Sequence, residues 1–155
     1  MATEMNAVTA GFLSVSFVAV PQIAVAQELV PLRETLAESA LTYGTVRCAG
    51  LYTALLEWMG EATVGVDAAQ QTKNNIEFLL LSSVLIAQEV TSSDSIDQIV
   101  DYTMRDARNV ADLYLLRFER NYAAVGQAWG DDSLTNDDLQ VCKQITEGLQ
   151  TAELE

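Results

Sequence analysis

The chain contains no histidine, only two cysteines and two prolines, and few basic side chains: eight Lys and Arg against 22 Asp and Glu. Without histidine there is no Ser-His-Asp or Cys-His catalysis, no imidazole–metal site and no histidine pH switch. The shortage of Lys and Arg, with a formal net charge of −14, argues against nucleic acid or an anionic membrane surface as partner. Both are bound through clustered basic side chains. Wide separation of Cys48 and Cys142 excludes a CxxC redox motif and zinc-type spacing. What is present is apolar residue in quantity. Half of the 155 residues are hydrophobic, enough for one packed domain and too much for a disordered chain.

Residues 7–26 read AVTAGFLSVSFVAVPQIAVA, without a single charge. The stretch ends in Ala24-Val25-Ala26, the small-x-small pattern of a signal-peptidase site, and Gln27-Glu28 restores polarity. Pro21 would end an apolar helix just before the cut and leave the cleavage segment extended. This predicts a signal peptide over residues 1–26, cleaved between Ala26 and Gln27, and a single domain over residues 27–155. The leader is atypical: it carries Glu4 and no Lys or Arg, although a start at Met5 would remove that acid. Two alternatives are a retained membrane anchor, since spanning takes about 20 apolar residues, and the first buried helix of a cytosolic bundle. A membrane is a partner only if this segment is not cleaved.

Export changes the meaning of the cysteines. In an oxidising compartment two lone cysteines pair more readily than they persist as thiols. A Cys48–Cys142 disulfide would close a loop of about 95 residues, worth roughly 4–5 kcal/mol in the chain-entropy model.

The remainder has helical periodicity. Leu29, Leu32, Leu36, Leu41, Cys48, Leu51, Leu55 and Met59 recur at spacings of mainly three, four or seven and predict a first helix over about 29–59. Asp67 is the candidate cap of a second helix with the apolar centre IEFLLLSSVLIA. The turn from Thr91 to Ser95 is dense in capping residues. A third stripe follows from Ile96 through Val100, Met104, Ala107, Ala111, Tyr114, Phe118, Tyr122 and Val125 to Trp129. Thr135 and Asp138 form a candidate capping box for a last helix bearing Leu139, Cys142, Ile145 and Leu149. Strand alternation is lacking, and both prolines lie outside the predicted helix interiors. The prediction is all-α: an antiparallel up-down-up-down four-helix bundle preceded by the apolar signal segment. At about 1.5 Å rise per residue, Cys48 lies roughly 16 Å from Met59 and Cys142 roughly 10 Å from Thr135. In such a bundle both distances run from the same end, so the bridge is geometrically feasible.

Candidate chemistry is thin. Laid on a calcium-binding loop, Asp131-Asp-Ser-Leu-Thr-Asn-Asp-Asp138 puts Asn136 at the turn glycine and Cys142 at the essential bidentate glutamate. The match fails there, and a solvated helix start accounts for the acids. Glu57, Glu77, Glu89 and Glu119 show none of the spacing of a carboxylate-bridged di-metal bundle, so no metal or cofactor is expected. Arg47, Arg117 and Arg120 fall at comparable depth on the first and third helices and could serve a small anion, with pairing to the many acids as the plainer account. Trp58 and Trp129 end those two helices at one pole, where they form either a contact patch or the end layer of the core. The stretch Val46-Arg-Cys-Ala-Gly-Leu-Tyr52 with a late single cysteine is similar to small exported bacterial helical proteins, a likeness of a few residues that brings no function with it. The expectation is a small exported, non-enzymatic module binding an unknown protein or small ligand. A membrane-anchored accessory subunit, and an enzyme or metal binder using carboxylates in a bundle groove, are the alternatives.

Overall fold

The computed structural model describes residues 28–36, 41–91 and 95–152. The predicted signal segment and its cleavage residues Ala24, Ala26 and Gln27 lie outside the described residues, as do positions 92–94 of the capping-rich turn. The fold is all-helical, with no strand among the described residues. In chain order the helices are α1 (Leu32–Leu36), α2 (Leu41–Met59), α3 (Glu61–Val64), α4 (Val66–Val90), α5 (Ile96–Val125) and α6 (Ser133–Ala152). No helix among the described residues is long and apolar enough to cross a membrane.

Each predicted segment is helical, but the correspondence is not one to one: the first, expected as a single helix over about 29–59, is described as α1 and α2, and α3 forms before α4. The first segment begins at Leu32 rather than Leu29, because Pro31 precedes it and supplies the carbonyl that accepts from Glu34 and Thr35. Asp67 lies in the first turn of α4 and does not cap it; the cap position is Gly65, whose φ of 89° sets the break after α3. Ser95 caps α5 in a full capping box with Gln98. That helix stops at Val125, four residues short of Trp129, because Gly126 adopts a left-handed cap and its N–H closes on the Tyr122 carbonyl.

The capping box expected from Thr135 and Asp138 is also displaced. Asp132 holds the cap position of α6: its carbonyl accepts from the Asn136 N–H and its carboxylate accepts from the Thr135 hydroxyl. The helix therefore starts three residues early, which frees Asp138 for the core.

α2 is the hub, packed against each of the other five helices. Its glycines explain how it can be. A Cβ at Gly50 would stand 2.6 Å from Val110 Cγ1 and 2.8 Å from the Ala107 carbonyl oxygen, so the backbones of α2 and α5 approach where only glycine fits. The core around α2 contains Leu51, Ala54 and Leu55, with Leu79 of α4, Ala111, Tyr114 and Phe118 of α5, and Val141 of α6. Cys48 and Cys142, both without solvent exposure, form a disulfide with Cα atoms 5.2 Å apart. It ties α2 to α6 across 94 residues of sequence.

Candidate functional site

The most concentrated polar chemistry lies beside that disulfide. Arg47 precedes Cys48 on α2, and Asp138 precedes Cys142 by one helical turn on α6. The same geometry that brings the sulfurs together brings these charges together. Arg47 Nη2 donates to Asp138 Oδ2 at 2.6 Å, with the two side chains only 1% and 0% exposed. Arg47 Nε donates to the Tyr114 hydroxyl at 2.9 Å, and Nη1 donates to the Tyr43 hydroxyl at 3.0 Å. The Tyr114 hydroxyl in turn donates to Asp138 Oδ2. Asp138 Oδ1 accepts the backbone N–H of Leu32 at 2.7 Å, one of the donors that a helix N-terminus leaves without an intrahelical partner. One carboxylate thus holds α1, α2 and α5 against α6. No buried side-chain nitrogen or oxygen among the described residues is left without a partner.

Burial and pairing act against each other on these groups. Burial disfavours the guanidinium cation of Arg47, but Tyr114, Tyr43 and Asp138 outweigh it and raise the Arg47 pKa above the usual arginine value. Tyr114 is pushed well above the usual phenol range, chiefly by burial, with the Asp138 carboxylate adding to it. Arg47 is therefore cationic and Tyr114 neutral at ordinary pH.

The other expected contact residues separate. Arg117 pairs with Asp132, the cap of α6, through Nε at 2.6 Å and a second bond from Nη2. Burial acts upward on Asp132, but Arg117 and Thr135 hold its carboxyl below the ordinary aspartate value. Arg120 is exposed and makes no ion pair among the described residues. It lines, with Arg117, a recess of about 210 Å³ that Arg47 does not reach. Trp58 and Trp129 do meet, through Phe118: its ring centroid lies 6.0 Å from Trp58 and 5.1 Å from Trp129. Both indoles are half-buried, and Tyr122 completes the layer 5.9 Å from Trp58.

A cavity of about 560 Å³ opens between α2, α4 and α5, and Arg47 forms part of its wall. Val46, Val110 and Leu113 give it an apolar side, while Tyr43, Ser83 and Asn109 supply polar atoms. Its residues come from the segment before α1 (Glu28 and Leu29), the first turns of α2, the last turns of α4 with Thr91, and α5 between Tyr102 and Leu113. It is therefore lined by neither tryptophan. Among the described residues no group of three or more His, Cys, Asp or Glu side chains is placed to hold a metal ion.

Asp138, Tyr114 and Tyr43 were not candidate site residues from the sequence. A carboxylate one turn before Cys142, on a stripe that otherwise carries apolar and small residues, was the available signal, and its acidic neighbours masked it. Comparison with protein-family models, with curated proteins and with solved structures finds no match for this chain.

Proposed function

We propose that this chain is an exported, non-enzymatic binding module, periplasmic or secreted, whose four long helices run up-down-up-down and whose residues 1–26 are removed as a signal peptide. The cavity between α2, α4 and α5 is the observation that carries the binding half of this reading. Its volume falls in the range of roughly 300–1,000 Å³ of small-molecule sites, and its mix of apolar wall and a few polar atoms is theirs too. The buried cluster beside it serves as a scaffold, because Arg47 is held by Asp138, Tyr114 and Tyr43 and so fixes the wall in place.

Export is supported by the disulfide. A buried Cys48–Cys142 bridge suits an oxidising compartment better than a reducing one, and residues 7–26 supply the sequence of a leader. Expression of the full chain in a bacterial host, followed by fractionation and N-terminal sequencing, tests this half. The expected result is a periplasmic chain beginning at Gln27. A chain that keeps residues 7–26 in the membrane fraction would make it a tethered accessory subunit instead, and an intact chain in the cytosol would refute export outright.

A further inference from the structure

A buried arginine in a cavity wall suggests an anionic ligand, but here the charge balance points the other way. The Arg47 charge is already matched by Asp138, and its donors reach Asp138, Tyr114 and Tyr43. An incoming anion would have to share a guanidinium whose charge is already compensated, or displace a buried carboxylate that also holds the Leu32 N–H. Either course leaves a charge buried without its partner, which is costly.

Among the described residues of the lining Arg47 is the one basic side chain, whereas two acids, Glu28 and Asp106, stand in it as well; Glu28 also borders the recess of Arg117 and Arg120 and supports the Arg117 charge, so it is partly offset. Both acids are exposed, which places them at the mouth. The neighbouring Arg105 reaches Asp106 with Nε 3.3 Å from Oδ1, but both side chains are more than half exposed, so water screens the pair. Tyr43 and Tyr102 add aromatic rings to the lining, and aromatic faces attract organic cations. The chain as a whole, at −14, draws cations and repels anions.

We infer that this cavity takes a small amphiphilic cation: an apolar body against Val46, Val110 and Leu113, and a positively charged head at the mouth between Glu28 and Asp106. The inference rests on the cavity being a ligand site, as proposed above.

The test is isothermal titration of the disulfide-intact protein with octyltrimethylammonium, octyl sulfate and octanol, each below its micelle or solubility limit. The cation should bind at least about tenfold more tightly than either of the others, the scale of one or two partly screened charge contacts. Glu28→Gln with Asp106→Asn, both at exposed positions, should bring the three ligands within about threefold of one another. Ala87→Trp, which fills the cavity from α4, should weaken the binding of all three. Tighter or equal binding of octyl sulfate or octanol overturns the inference while leaving the cavity a ligand site. So does a cation preference that survives the double substitution, because it would reflect net charge alone. Binding unaffected by a folded Ala87→Trp variant places the ligand elsewhere and overturns it as well. If none of the three binds, the inference and the reading of the cavity fall together.

Discussion

Replacing Asp138 by asparagine removes one charge and almost no volume, so its consequence can be worked from the geometry. The oxygen of the new amide can still accept the Leu32 N–H. Its NH2 group would then face Arg47 Nη2 and the Tyr114 hydroxyl, where Asp138 Oδ2 now accepts from both. The Arg47 guanidinium, 1% exposed, would remain buried without its counterion. Breaking a buried pair from one side costs about 3–5 kcal/mol, because the surviving charge is stranded. The value should fall at the upper part of that range, since two donors are left facing a third. Removing both charges with Arg47→Met and Asp138→Leu should cost markedly less than the sum of those two single substitutions, and that difference in the double-mutant cycle isolates the pair. The assay is urea unfolding of disulfide-intact protein, monitored by circular dichroism. A loss below about 1 kcal/mol for Asp138→Asn, the scale of an exposed pair, would refute the claim that this carboxylate is the buried anchor of four helices.

Further outcomes follow from the same structure. Tyr114→Phe removes a hydroxyl that accepts from Arg47 and donates to Asp138, and should lower unfolding stability by about 1–3 kcal/mol; a neutral effect would place the hydroxyl outside the cluster. Gly50→Ala forces a methyl onto Val110 and the Ala107 carbonyl and should cost about 1–3 kcal/mol by overpacking, read as a lowered urea midpoint; an unchanged midpoint would mean that α2 and α5 are not in such close contact. Asp132 has its folded-state pKa held below its ordinary value of 3.8, so its contribution is present above that pH and is lost as pH falls through the lowered folded value. Arg117→Met should therefore lower stability at neutral pH and shrink the loss seen on acidification below about pH 4; an unchanged acid limb would contradict the pairing.

The extent of each helix and the site differ in how far the sequence reveals them. Of the stripe expected on the third helix, Ala107, Ala111, Tyr114 and Phe118 are buried as the helical period implies, whereas Ile96, Val100, Met104, Tyr122 and Val125 are exposed and Ile99 and Thr103 take the buried face of the first turns instead. Cys48 and Cys142 were pairable because only two cysteines exist. Helix ends were less legible: Gly126 ends α5 early and Asp132 starts α6 early, at places that periodicity does not register. The Arg47–Asp138 pair was least legible of all. An ion pair across 91 positions leaves no periodic trace, and Asp138 closes a run of acids that reads as ordinary complement to a helix dipole. The cavity belongs to the same class, since its lining is gathered from α2, α4, α5 and the segment before α1 rather than from any one segment.

The disulfide underlies both the packing of α6 on the hub helix and the proposal of an oxidising compartment. Intact-mass spectrometry of protein recovered from the periplasm under non-reducing conditions, with free thiols alkylated on lysis, tests it most directly. The account predicts a single species that begins at Gln27, takes up no alkylating reagent and gains two labels only after reduction. A species carrying two labels before reduction would contradict it.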